Sequence, residues 1–334
     1  MEFQKLKRWV CILFPAAMAL TGCEGSARPP LSPQSGAQSV AAPFAAAPYG
    51  AAERLRPTLA RTSDSGPSWM APEAVSDDLL YVSNVQNVTV YSYPRGRHVG
   101  TLKGLYRPLG ECTDSAGDIF IANQSTVLEY KHGGKKPIRT LTLSGYAPVS
   151  CANDPTTDNL AVTWDAGFSS GYVAIYQHGT GTPTLYDNST MLFRFCGYDD
   201  AGDLFVDGGP NHGSSFEFAE LPKDGNELIN ISLNQNIGFG AAVQWDGRYV
   251  TVEDDDVNRI YRFTISGSNG VLKGTVDLGN AQGLYQTWID GKKVVGADIL
   301  SNTVWYWKYP AGGAAIKSIT KQILAPYGVT ISKG

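Results

Sequence analysis

A unit of about forty residues recurs six times between Asp78 and Ser332, and nothing else in the chain narrows the fold as far. Each copy opens with a turn and an apolar strand, at residues 78–84, 117–123, 158–164, 202–207, 247–252 and 291–296. The first residues of successive copies lie 39, 41, 44, 45 and 44 positions apart. That is the length of one four-stranded blade. A second strand with aromatics follows at 88–93, 127–130, 172–176, 216–218, 260–263 and 304–309. Turn residues come next, such as Pro94-Arg95-Gly96 and His132-Gly133-Gly134, where glycine supplies the positive φ that hairpins require. A third strand lies at 137–141 and 315–319 in two of the copies, and a short fourth strand at 110–114, 150–154, 195–199, 242–246 and 286–290 ends each time in Asp.

No segment of this region has helical periodicity, so the class is all-β: a six-bladed β-propeller of four-stranded antiparallel blades. The sixth fourth-strand sits alone at 328–332, where pairing with the first unit would close the ring and remove the open sheet edges. Residues 72–76 are the competing source of that closing strand.

The remainder of the chain divides in two. Lys5, Lys7 and Arg8 precede an apolar run at residues 9–20, too short to span a bilayer and of the length of a signal-peptide core. Residues 23–72 are rich in Pro, Ala, Ser and Gly, without alternating apolar residues; such a stretch cannot offset its ordering entropy and reads as a disordered tether. As a flexible coil it would reach about 35–42 Å. The domains expected are therefore 1–22, a signal peptide; 23–72, a tether; and 73–334, the propeller.

Leu20-Thr21-Gly22-Cys23 resembles the lipobox of bacterial lipoproteins. The resemblance implies cleavage before Cys23, lipidation of its thiol and anchoring to a membrane through the acyl chains. Glu24 rather than Asp follows the cysteine, a pattern that in such proteins points to the outer membrane or cell surface. The unit built on Pro108-Leu109-Gly110 and Asp114 to Asn123, with its copies, resembles the NHL, SMP-30 and YncE-like group of bacterial propellers over residues 78–332. That likeness speaks for architecture, since propellers of this kind host lactonases, lyases, binding modules and scaffolds.

Chemistry in such a ring collects on equivalent loops. Asn84, Asn123, Asp165, Asp207, Glu253 with Asp254, and Asp298 follow the repeated apolar strand and lead to one common face. Oxygen donors of this kind suit Ca²⁺ or Mg²⁺ where they converge. Asp207, Glu253, Asp254 and Asp298 are accordingly the metal candidates, and Asn84, Asn123, Asp165 and Asp207 candidates for ligand contact. The competing use of the same residues is to end strands and cap turns, so no cofactor is firmly implied. The run Glu253 to Asp256 reads as a solvated loop tip.

Lactonases of the SMP-30 type hold a divalent ion in the channel beside a carboxylate base. Glu111, on an inner strand, is the candidate for that role, with Asn153 in a comparable place, though neither sits in a matching motif. His132 and His178 fill equivalent turns, which leaves His212, in a long loop, as the isolated catalytic candidate. Trp245, Tyr285 and Trp288 lie on or beside inner strands, positioned either to stack a ligand in the channel or to pack between blades. Cys112, Cys151 and Cys196 fall within one position of the same register on inner strands; a Cys151–Cys196 bond is open to an exported protein, but neighbouring inner strands are expected to stand too far apart for a disulfide.

A formal charge of −4 with scattered Lys and Arg offers no basic patch, and so no nucleic-acid partner. The expectation is an exported, anchored, monomeric propeller that binds a protein, glycan or small envelope ligand. The alternative is a divalent-metal-dependent hydrolase of the lactonase type.

Overall fold

The computed structural model describes residues 66–166, 171–188, 191–210 and 215–334. Cys23, the expected signal peptide, most of the expected tether, and His212 lie outside the described residues. Six antiparallel sheets make six blades, four of them four-stranded and two enlarged to five and six strands. The inner strands touch one another in cyclic order, so the ring is closed.

From inside outward, blade 2 is Pro108–Thr113, Ile119–Asn123, Thr126–Tyr130 and Pro137–Leu141. Blade 3 is Ala147–Asn153, Leu160–Asp165, Gly171–Tyr176 and Thr184–Tyr186; blade 4 is Met191–Tyr198, Leu204–Pro210, Glu217–Leu221 and Ile229–Asn230. Blade 5 is Gly240–Trp245, Val250–Asp254, Arg259–Ser266 and Asn269–Gly279; blade 6 is Leu284–Asp290, Lys293–Asp298, Thr303–Lys308 and Lys317–Ile319. The outer strand of blade 5 also takes short parallel pairings with Ser232–Leu233 and Gly313–Ala314.

Blade 1 joins the two ends of the ring. Its inner strand is Val329–Ser332, which pairs antiparallel with Leu79–Ser83 from Leu79↔Ser332 to Val82↔Val329; Val88–Ser92 and Arg97–Leu102 complete it. The competing segment is a short 3₁₀ turn, Pro72–Val75, and pairs with nothing in that sheet. Trp69–Met70 adds a fifth strand to the outer edge of blade 1, so the sheet begins inside the stretch read as tether. No helix among the described residues is long and apolar enough to cross a membrane.

The strands are apolar runs rather than strict alternations because both faces of each blade are covered by neighbours. Leu79–Ser83 and Leu160–Asp165 are buried at every position, whereas Pro137–Leu141 is mostly exposed. Six apolar clusters fill the six gaps between blades. Ile119 and Ile121 meet Leu79 and Tyr81 in one gap; Val162 and Trp164 meet Phe120 in the next; Val295 and Tyr306 meet Leu80 and Val329 in the gap that closes the ring.

The inner strands converge more tightly than blade spacing alone suggests. Cys112 and Cys151, on neighbouring inner strands, form a disulfide with Cα atoms 5.6 Å apart, while Cys196 is free and buried. The expectation that inner strands stand too far apart is thus corrected, and the reason is close backbone approach at the axis: a Cβ on Gly110 would lie 2.8 Å from the Val149 carbonyl oxygen. Closing a loop between cysteines 39 residues apart stabilises the fold by about 4 kcal/mol on a chain-entropy account. Cys112→Ser/Cys151→Ser should therefore lower the unfolding free energy from urea denaturation by about that amount, and a reductant should do the same to wild type but not to the variant.

Candidate functional site

The channel has two unlike ends. Where the inner strands begin, aromatic side chains close the axis: Phe195 of blade 4 meets Tyr285 of blade 6 with ring centroids 5.4 Å apart, and Tyr285 meets Tyr327 at 5.1 Å. Blades 4 and 6 are not neighbours, so these rings meet across the axis. Leu109 and Ala241 pack into the same cluster. Tyr285, a candidate for ligand stacking, is therefore part of a plug.

Just beneath, the Gln286 amide ties three blades together. Its Oε1 accepts the Glu111 N–H at 3.0 Å and the Val329 N–H at 3.2 Å, and its Nε2 donates to the Glu111 carbonyl at 2.9 Å. Gly328 makes room for this crossing, since a Cβ there would stand 2.1 Å from the Leu109 carbonyl oxygen. Glu111 itself is fully buried, its Oε1 accepting the Ser83 hydroxyl at 2.6 Å. Burial pushes its carboxyl up to about 8, with the Ser83 hydrogen bond opposing.

A shared irregularity explains the buried acids. In blades 2 to 6 the inner strand slips register against the second strand. Such bulges leave inner-strand N–H groups without ladder partners, and buried donors must be satisfied. Second-strand side chains at one repeated position do this. Thr163 Oγ1 accepts the Ser150 N–H at 3.1 Å and donates to the Arg194 carbonyl at 2.7 Å. Asp207 Oδ1 accepts the Phe195 N–H at 2.7 Å. Glu253 Oε2 accepts the Thr287 N–H at 3.1 Å and the Thr287 hydroxyl at 2.8 Å. Asp207 and Glu253 are fully buried, and that burial pushes them up to about 7 and about 8. These acids are braces between and within blades.

The remaining polar strand ends brace the loops that enter the inner strands. Asn84 Oδ1 accepts the Leu324 N–H at 2.9 Å, and Asn123 Oδ1 the Tyr106 N–H at 2.7 Å. Asp254 accepts N–H groups of Gly238, Phe239 and Asp256; Asp298 accepts those of Gln282, Leu300 and Ser301 and the Trp305 indole. Asp165 is buried at the corresponding end of its strand. Among the described residues no group of three His, Cys, Asp or Glu side chains stands close enough to hold a metal ion. The solvated-tip reading of 253–256 is corrected as well. Glu253, Asp254 and Asp255 are 0%, 3% and 8% exposed, because each faces backbone donors or a neighbouring blade, and only Asp256 reaches solvent. His132 is more than turn filling: its Nδ1 contacts the Ser332 hydroxyl at 2.5 Å and its Nε2 the Asp77 carbonyl at 3.1 Å, which fastens the closing strand.

Where the inner strands end, the axis opens into a cavity of about 320 Å³. Inner strands of blades 2 to 6 line it, with Trp245 and Trp288 on its wall beside Tyr198, and Asn153, Gln244, Asp199 and Asp200 around them. Trp288 also packs against the apolar cluster of blades 1 and 6 and that of blades 2 and 3, so its ring reaches across the axis. Phe195, Gln286 and Thr287 also line the cavity, which thus extends to the plug. The structure therefore brings Trp245 and Trp288 together, with Asn153, at one end. It leaves Asn84, Asn123, Asp165, Asp254 and Asp298 at the other. Tyr198, Asp199 and Asp200 were missed; their signal was their place at and just past the end of the blade 4 inner strand, the strand equivalent to the one that carries Trp245 in blade 5.

A closed six-bladed β-propeller with one plugged and one open axial end is the class that fold and site define. No protein-family model matches the chain, and no curated protein matches it. Similar solved structures include a chain of a nidogen/laminin complex, with TM-score 0.61 and 16% identity over 76% of this chain and 98% of that one. A protein of unknown function from Bacteroides caccae has TM-score 0.59 and 11% identity over 78% of this chain and 100% of the other. The Myceliophteria thermophila Cps50 (Swd1) β-propeller domain has TM-score 0.52 and 12% identity over 79% and 89%. At these identities the likeness is one of fold.

Proposed function

We propose that this chain is a membrane-anchored, extracytoplasmic propeller of the NHL, SMP-30 and YncE-like kind, and that it binds a protein, glycan or small envelope ligand at the open end of its axis. The observation that carries this reading is the cavity itself: concave, largely apolar, and walled by two tryptophans among a few polar groups, as small-ligand and side-chain sites are. The lipobox-like Leu20–Cys23 and the tether supply the anchoring half of the proposal. The Cys112–Cys151 disulfide fits an oxidising compartment. A propeller in a nidogen/laminin complex shows that a similar chain occurs in a protein assembly.

The hydrolase alternative draws no support from these residues. Glu111 lies behind Ser83 and Gln286, and Asp207 and Glu253 are committed to inner-strand N–H groups. The test is an indole-NMR screen of the propeller against saccharides, short peptides and amines. A binder should move the Trp245 and Trp288 indole signals and leave those of Trp164 and Trp307 in place. Saturable binding that moves none of the cavity signals would contradict the assignment.

A further inference from the structure

We infer that the axial cavity receives an organic cation, an alkylammonium or guanidinium head group; this rests on the reading of the cavity as the binding site. Four aromatic side chains, Phe195, Tyr198, Trp245 and Trp288, line it together with the carboxylates Asp199 and Asp200. None of the lining residues is Lys, Arg or His. Aromatic faces carry the negative end of the ring quadrupole and attract cations, tryptophan most strongly. Carboxylates beside them set the same sign of field, and a concave low-dielectric wall focuses it.

The two acids divide the work. Asp199 Oδ1 accepts the N–H groups of Ala201, Gly202 and Asp203 at 2.9, 3.0 and 3.0 Å, which pins the turn at the mouth. Asp200 is exposed beside it, and no Lys or Arg pairs with it among the described residues. The mouth also lies on the face where Asp114, Asp154, Asp246 and Asp290 end or follow the inner strands. Arg262 neutralises Asp246 and Lys333 neutralises Asp290, so the excess charge sits toward blades 2 to 4. An anion would meet like charge here, and a neutral ligand would leave the Asp200 carboxylate unused.

The test titrates the propeller, with its indoles observed by NMR, with choline, butylguanidinium and the neutral isostere 3,3-dimethylbutan-1-ol. At least one cation should move the Trp245 and Trp288 signals saturably, at least tenfold more tightly than the isostere. Asp200→Asn should weaken it about tenfold, and added salt should weaken it for wild type more than for the variant. N-acetyl-lysine methylamide, run beside choline, separates a protein side chain from a free cation by which binds more tightly. Equal affinity for the isostere, or no effect of Asp200→Asn, overturns the charge assignment while leaving the cavity as a binding site. Silence of every cation overturns it too, and the saccharides and peptides of the broader screen then decide the binding reading separately.

Discussion

A chain cut after residue 326 should lose its single cooperative unfolding transition. The segment removed contains Val329–Ser332, buried at all four positions and forming the inner strand of blade 1. Val329 and Ile331 sit in the apolar cluster between blades 1 and 6, and burial of such side chains contributes about 2–3 kcal/mol each. Ser332 adds the contacts to His132 and to the Gly117 carbonyl. The expected loss, about 5 kcal/mol or more, approaches the whole stability of an ordinary domain. It also exposes the edge of Leu79–Ser83, so aggregation should accompany it. Calorimetry of the truncated chain checks this, and a peptide of residues 327–334 added in trans should restore the transition. Ile331→Asp tests the same closure without shortening the chain. An unchanged melting temperature in both would show that the ring does not depend on this strand.

The second large effect is a stability that falls as pH rises. Burial raises Glu111 and Glu253 to about 8 and Asp207 to about 7, and Asp255 behaves likewise at about 7. A raised carboxyl pKa means the folded chain holds protons that the unfolded chain releases above about pH 4.5. The stabilising contribution is therefore complete below that pH and is lost progressively up to about pH 7–8, at about 1.4 kcal/mol per pH unit for each group while it titrates. Burial lowers His98 and His132, whose effect runs the opposite way through their ordinary range, but both are only half-buried. Urea denaturation at pH 5.5 and pH 8 should show the wild type several kcal/mol less stable at the higher pH. Glu111→Gln, Asp207→Asn and Glu253→Gln keep an acceptor oxygen for the Ser83 hydroxyl, the Phe195 N–H and the Thr287 N–H respectively and remove the titration, so each should gain stability at pH 8 and flatten the profile. A variant slope equal to that of wild type would overturn the assignment of these acids as neutral braces.

The ring was legible because each blade repeats its turn and its apolar strand, and because buried strands must be apolar on both faces. The bulges were not legible: one extra residue in an inner strand leaves no mark in composition. That gap had consequences at particular residues. Asp207 and Glu253 fell into one group with Asn84, Asn123 and Asp298, although the first two serve inner-strand N–H groups while the others hold entering loops. Glu111 read as a channel ligand because its strand was placed correctly and the Gln286 crossing was invisible. The aromatics divided in the same way. Tyr285 and Trp288 are three residues apart on one strand, yet the first closes one end of the axis and the second lines the other. Cys112 and Cys151 were placed in one register, but the 5.6 Å approach that pairs them is a property of the closed ring and not of either strand.

Two surfaces of the same channel thus divide structure from binding, and a single titration weighs them against each other. The probe is choline, followed by calorimetry on the Glu111→Gln/Asp207→Asn/Glu253→Gln variant and on Trp245→Phe/Trp288→Ala, and in the acid variant also through the Trp245 and Trp288 indole signals. The account predicts affinity within twofold of wild type for the first and loss of saturable binding, by calorimetry, for the second. Abolished binding in the acid variant, with the tryptophan variant unaffected, would place the functional centre among the buried acids and contradict it.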